Sequence, residues 1–194
     1  MDEVKLGVAT RPTLGYVENG DGYFIERWDD KLFLAVFDGL GHGSVAAKAS
    51  EICLTTLKKT YTKDLPTIFS VCDHELKRTR GVVMGIALID LSRRALKYAG
   101  VGNITTKVMG PRQSTHLISM DGIVGYNLPR IRIFPYQLER GDLLIMHSDG
   151  ISSTSLSKYP RERMRNFDPQ RVADEVLNGY AKKEDDATIL IAHI

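Results

Sequence analysis

Apolar residues in this chain fall into two alternating kinds of pattern. Uninterrupted runs at residues 32–37, 82–89, 143–146 and 187–194 have the length and composition of strands, several of them buried on both faces. Residues 4–9, 23–28, 95–99 and 131–136 read as further strands, and residues 103–109 with 114–119 as a hairpin around Gly110-Pro111. Helical spacing replaces these runs three times. Residues 43–61 repeat Val45, Ala49, Cys53 and Leu57 at intervals of four, with lysines on the other face. Asp64 is placed to cap a second helix running to Thr79, with Leu65, Phe69, Cys72 and Leu76 on one stripe. Asp168-Pro169 opens a third that reaches about Tyr180, and residues 152–165 between strand and helix are polar and irregular. Together these predict one α+β domain over residues 1–194. Two packed, mainly antiparallel sheets are flanked by helices, a four-layer α-β-β-α sandwich.

Composition changes this picture only by exclusion. A net charge of +2 is too near balance to argue for nucleic acid, and the basic residues form no dense patch interleaved with aromatics. No apolar run approaches the roughly 18–20 residues that a membrane span needs. Acidic residues stand near the N-terminus where a signal peptide would be basic, so a cytoplasmic protein is expected. Cys53 and Cys72 lie in helical segments without C-x-x-C spacing and read as buried free thiols.

The stretch with most chemical content joins the run 32–37 to Asp38-Gly39, a turn Gly41-His42-Gly43 and an Ala-rich helix start. A carboxylate at the tip of a buried strand is unfavourable unless something positive meets it. Asp-Gly recurs at 21, 121 and 149, and each pair alone is a common turn. Asp121-Gly122 sits in a loop between strands and keeps that reading, as does Asp90, which a hairpin explains. Asp38 is followed by a helix, Asp149 closes a buried strand, and Asp185-Asp186 opens one. If Asp21, Asp38, Asp149 and Asp185 or Asp186 meet, each raises the others' pKa, and a hard divalent cation resolves the conflict. Oxygen ligands without His or Cys spacing favour Mg²⁺ or Mn²⁺; the alternative is a set of independent surface turns. Gly41-His42-Gly43 with Ala46 also fits a G-x-G-x-x-A dinucleotide fingerprint, but Asp38 would stand beside the pyrophosphate and no β/α alternation follows.

These residues resemble the metal-dependent protein serine/threonine phosphatases, in their bacterial SpoIIE-type branch. Residues 37–43 with Ala46-Ala47 are similar to the signature D-G-x-G-H-G-x-x-A-A, and Asn19-Gly20-Asp21 to the first acidic motif. Residues 98–103 resemble A-G-H-N with Val-Gly in place of Gly-His, and Gly125 lies where the family has a short glycine motif. Residues 140–144 with Ser148-Asp149-Gly150 resemble P-G-D-x-L…T-D-G, and residues 185–188 resemble D-D-x-T. The resemblance implies two Mn²⁺ or Mg²⁺ ions and hydrolysis of phosphoserine or phosphothreonine by a metal-activated water. By position Asp38 would bridge both metals and the Gly39 carbonyl would hold the second. Asp149 and Asp185 would complete the first site, with Asp21 on the second directly or through water. Asp186 stands where Asn is often found. The branch lacks the N-terminal phosphate-binding arginine of animal and plant members, so Arg11 receives no role, while His42 and His147 are expected to pack or bond locally. The basic segment 158–165 is a solvated loop or a dock for an acidic partner. A catalytic domain of this size looks most like the members of the branch that act in the stressosome, and that resemblance implies phosphorylated STAS-domain proteins as substrates. The alternative function is an inactive pseudophosphatase that only binds a regulator; such proteins usually lose metal carboxylates, and here all the expected ones are present.

Overall fold

The computed structural model describes residues 4–194. In chain order its elements are β1 (Lys5–Arg11), β2 (Asp21–Trp28), β3 (Lys31–Gly39), α1 (Ser44–Thr60), α2 (Leu65–Leu76), β4 (Val82–Asp90) and β5 (Ala95–Val101). There follow β6 (Thr105–Met109), β7 (Ser114–His116), β8 (Phe134–Gln137), β9 (Leu143–His147), α3 (Ser153–Leu156), α4 (Arg161–Asn166), α5 (Pro169–Tyr180) and β10 (Ala187–His193). Among the described residues these strands form two five-stranded sheets, ordered β1-β10-β9-β6-β7 and β2-β3-β4-β5-β8, with antiparallel pairing throughout.

Three apolar layers define the expected sandwich. Leu34, Val36, Tyr98, Leu144, Met146 and Leu190 fill the space between the sheets. Phe33, Phe37 and Met84, on the opposite face of β3 and β4, pack against Cys53, Leu57, Phe69 and Cys72 of α1 and α2. Ile145, Ile189 and Ile191 meet Val172 and Val176 of α5 on the far side. Strand β3 is therefore covered on both faces, which is why its sequence is apolar without alternation. Both cysteines are buried and free. No helix among the described residues is long and apolar enough to cross a membrane.

The structure corrects several details. Val45 is exposed, and the buried stripe of α1 runs through Ala46, Ala49, Ser50, Cys53 and Leu57, because a spacing of four drifts off a face that turns every 3.6 residues. Helix α2 stops at Leu76, whose carbonyl accepts from both the amide and the hydroxyl of Thr79. The strand expected over 131–136 is displaced to Phe134–Gln137. Residues 152–165 contain the two short helices α3 and α4; Ser152 caps the first through the Ser155 amide at 3.0 Å.

Candidate active site

Strands β2 and β3 pair in a register that sets Asp21 directly opposite Asp38. Both stand at the end of the sheet where β3 gives way to the glycine turn. Gly39 donates its amide to the Gly20 carbonyl at 2.9 Å, and Ser50 of α1 donates to the same carbonyl. A Cβ on Gly39 would stand 2.3 Å from the Ala46 carbonyl oxygen, so only glycine lets the helix close on the strand tip. Gly41 and Gly43 have φ of 108° and 63°, and this left-handed turn starts α1 immediately after the strand.

The other sheet delivers its acids to the same end. Strand β9 runs out into Ser148-Asp149, and β10 begins just after Asp185-Asp186. Ser148 joins the sheets: its hydroxyl accepts from the Thr188 amide at 3.0 Å and donates to Asp21 Oδ2 at 2.5 Å. Asn103 donates to Asp149 Oδ2 at 2.9 Å, so the variant A-G-V-G-N segment supports an acid. Asp38, Asp149 and Asp185 line one cleft of about 570 Å³, together with Gly41, Asn103 and Asp121. Asp21 is buried beside Asp38.

Electrostatics separates this group from ordinary surface acids. Burial, followed by repulsion from Asp21, Asp149, Asp185 and Asp186, pushes Asp38 up to about 9. Burial also pushes Asp21 up to about 7, against the hydrogen bonds from Ser148 and Thr188. Asp185 is raised as well, by burial and then by Asp149, although Lys182 reaches it at 3.4 Å. Asp21 Oδ1 is buried without a hydrogen-bond partner. Among the described residues no three Asp, Glu, His or Cys side chains converge into a closed ligand set. What converges is a set of carboxyl groups with few donors of their own, and one orphan acceptor at its base. That donor set fits a hard divalent cation and not a soft one.

Adjacent Asp185 and Asp186 have opposite surroundings. Asp186 is saturated by its own chain: Oδ1 accepts from the Thr13 amide at 2.7 Å and hydroxyl at 3.0 Å, and Oδ2 from the Gly20 amide at 2.8 Å. Asp185 lines the cleft. Asp121, read from sequence as an isolated turn, also lines it; only the fold of the 121–127 loop brings it there. The bridge Val82–Val124 ties that loop to the start of β4.

The remaining residues are mostly structural. His42 is exposed and packs edge-on against Tyr16 with centroids 5.8 Å apart. His147 is buried, its Nδ1 2.9 Å from the Ser148 carbonyl oxygen. Arg11 turns its guanidinium to the carbonyls of Pro12, Lys182 and Asp185, holding the turn that carries Asp185. Within the basic segment, Arg161 and Arg165 bond the carbonyls of Met109, Gly110, Gln113 and Gly141, so these two charges tie α4 to the sheet.

Comparison with known proteins agrees with this geometry. The family described as Stage II sporulation protein E (SpoIIE) matches residues 28–194. Phosphoserine phosphatase RsbX of Bacillus subtilis (strain 168) is 23% identical over 176 residues, covering 90% of this chain and 87% of RsbX. A chain solved in work on the bacterial stressosome, described as a modular system adapted to control secondary messenger signaling, is 30% identical with a TM-score of 0.92. The match covers 98% of this chain and 100% of that one. The crystal structure of RsbX in complex with magnesium superposes with a TM-score of 0.86 at 23% identity, covering 100% of this chain and 96% of RsbX.

Proposed function

The chain belongs to the SpoIIE family, and from that membership we propose that it is a metal-dependent protein serine/threonine phosphatase. It acts in the cytoplasm on phosphoserine or phosphothreonine of bacterial signalling proteins, specifically STAS-domain proteins of the stressosome. One observation carries the reading: Asp38 shares a cleft with Asp149 and Asp185, and Asp21 is buried directly opposite it in the strand register. Burial first, and then the neighbouring acids, raise the pKa of Asp21 and Asp38 well above the carboxylate range, and cations would relieve both.

Asp38, Asp21, Asp149, Asp185 and the Gly39 carbonyl would hold two Mn²⁺ or Mg²⁺ ions. Bound there, the ions supply Lewis-acid activation of water and neutralise charge on the phosphoryl oxygens. The chain's own residues fix the oxygens that do this. Ser148 takes Asp21 Oδ2 and leaves Oδ1 free, and Asn103 takes one oxygen of Asp149. Arg11 sets the turn that presents Asp185 to the cleft. Among the described residues no Ser, Thr, Cys or His lines the cleft, which supports attack on phosphorus by water rather than by a hydroxyl, thiol or imidazole of the chain.

The deciding experiment is phosphate release from a serine-phosphorylated STAS-domain protein. Wild type is compared with Asp38→Asn, each with Mn²⁺ and with chelator. Release that needs Mn²⁺ and disappears in the variant supports the reading. Binding of the phosphoprotein by wild type with no release in Mn²⁺ or in chelator rejects it in favour of a binding protein.

A further inference from the structure

Residues 13–20 form a loop closed by a single side chain, since Asp186 accepts from Thr13 at one end and from Gly20 at the other. Two more contacts tie it to segments that adjoin the cleft. Leu14 donates its amide to Lys183, two residues before Asp185, and the Tyr16 ring packs on His42, next to Gly41 of the cleft wall. A loop anchored in this way would be expected to present polar residues to water. Instead Leu14 is 74% exposed, Tyr16 45% and Val17 91%. On the same turn the Arg80 guanidinium lies across Gly41, where a Cβ would stand 2.8 Å from Nη1. Arg80 is exposed and has no hydrogen bond or ion pair among the described residues.

We propose that this rim, Leu14, Tyr16 and Val17 of the loop that meets the glycine turn at His42, with Arg80 at Gly41 of the same turn, is the docking surface for the phosphoprotein substrate. The proposal rests on the phosphatase reading of the adjoining cleft. Arg80 supplies the positive charge that complements a dianionic phosphoryl group, and its planar fork suits two phosphate oxygens. The apolar loop takes the side chains that flank the phosphorylated residue in a folded partner. The occupant follows from continuity with the cleft. A second copy of the chain seated on this rim would cover the cleft and shut the substrate out, whereas the phosphoprotein uses rim and cleft together. The closed loop is suited to the task because a preorganised surface loses little freedom on binding.

The test compares wild type, Leu14→Ser/Val17→Ser and Arg80→Ala. One readout is the Kd for a serine-phosphorylated STAS-domain protein in chelator. The others, with Mn²⁺, are turnover of that protein and of p-nitrophenyl phosphate, and inhibition by inorganic phosphate. The loop variant is expected to weaken binding and raise KM for the phosphoprotein by about tenfold or more, with p-nitrophenyl phosphate turnover within about twofold of wild type. Arg80→Ala is expected to raise KM for both substrates and to weaken inhibition by phosphate by about tenfold. Unchanged binding of the phosphoprotein in either variant overturns the proposal. So does an equal loss on both substrates in the loop variant, which signals a distorted cleft. Wild type that releases phosphate from neither substrate rejects the phosphatase reading, while the Kd values measured in chelator still decide whether the rim docks the partner.

Discussion

At one end of strand β3, Lys31 sits opposite Asp90 of β4; at the other, Asp38 sits opposite Asp21 of β2. The first pair is a side-chain ion pair, and Lys31, helped by Ser92 and the Arg93 amide, holds the Asp90 carboxyl well below its ordinary range. The second places acid against acid, with two further acids of the other sheet on the same cleft, and Asp38 rises to about 9. Both ends obey the same hydrogen-bonded register. The difference is that one end brings its own cation and the other leaves the cation to be supplied. An acid with a built-in partner serves the fold, and acids gathered without one, at the expense of the fold, are what the proposed metal site requires.

The largest effect comes from removing the acid at the unbalanced end. Asp38→Asn is expected to lower kcat/KM for a phosphoprotein by roughly a thousandfold or more, since it removes the ligand expected to bridge two ions. In chelator the same substitution is expected to raise Tm by roughly 3 °C or more, because it removes a buried carboxyl that must either hold its proton far above its unfolded pKa or ionise with no counter-ion. Activity and stability moving in opposite directions is the signature of an acid held for function. A variant that is inactive and also less stable in chelator would break the comparison.

Asp186 tests whether a neighbour one residue away belongs to the same class. Its three hydrogen bonds hold both ends of the 13–20 loop and come from partly buried or buried donors. Asp186→Ala leaves the Thr13 and Gly20 amides without partners and is expected to destabilise by about 2–4 kcal/mol, read by denaturant unfolding. Asp186→Asn keeps one acceptor oxygen and is expected to lose less. Unlike Asp38→Asn, neither variant gains stability in chelator.

The pH dependence sharpens the contrast further. A carboxyl whose pKa is raised on folding contributes stability that is full below its unfolded value, about 4, and is lost as pH rises through the folded value. For Asp21 and Asp38 the folded values are about 7 and about 9. In chelator, Tm is therefore expected to fall as pH is raised from about 6 to about 9. Saturating Mn²⁺, about a hundredfold above Kd, is expected to add about 2.7 kcal/mol. It also removes the downward slope, because deprotonated carboxylates bind metal best. Thermal scans at several pH values with and without Mn²⁺ check this; a flat profile in chelator would mean the acids are not in conflict.

Much of this was legible in the sequence, and what was not has physical causes. The run 32–37 announced a strand covered on both faces because burial there is symmetric. Asp38 stood out because a helix, not a hairpin, follows it. Asp121 did not stand out, because an Asp-Gly pair in a loop has the same local chemistry wherever the loop lies. Its approach to Asp38 and Asp149 depends on the long-range pairing of Val124 with Val82. The choice between Asp185 and Asp186 was out of reach of spacing and came only from the family resemblance, since the donors that saturate Asp186 lie about 170 residues earlier in the chain. Helices α3 and α4 have only 4 and 6 residues, too few to show a period. Only the structure shows that Arg161 and Arg165 in this basic stretch satisfy backbone carbonyls.

The smallest effect is expected at the balanced end, and it completes the comparison. Asp90→Asn removes the partner of Lys31 while keeping a side chain that can still accept from Ser92 and from the Arg93 amide. The pair is only partly buried, at the end of the strands, so water and salt still screen much of what is lost and Tm is expected to drop only slightly. Its sign with pH is opposite to that of Asp38. The lowered pKa of Asp90 gives stability above the unfolded value of about 4 that disappears as pH falls. The difference in Tm between wild type and Asp90→Asn is thus expected to vanish in acid, and to shrink at high salt. Phosphoprotein turnover is expected to stay within about twofold of wild type, because Asp90 lies at the other end of the strand from the cleft. A large loss of turnover in Asp90→Asn would mean that the two ends of β3 are coupled through the strand, and that acid pairing at one end reaches the other.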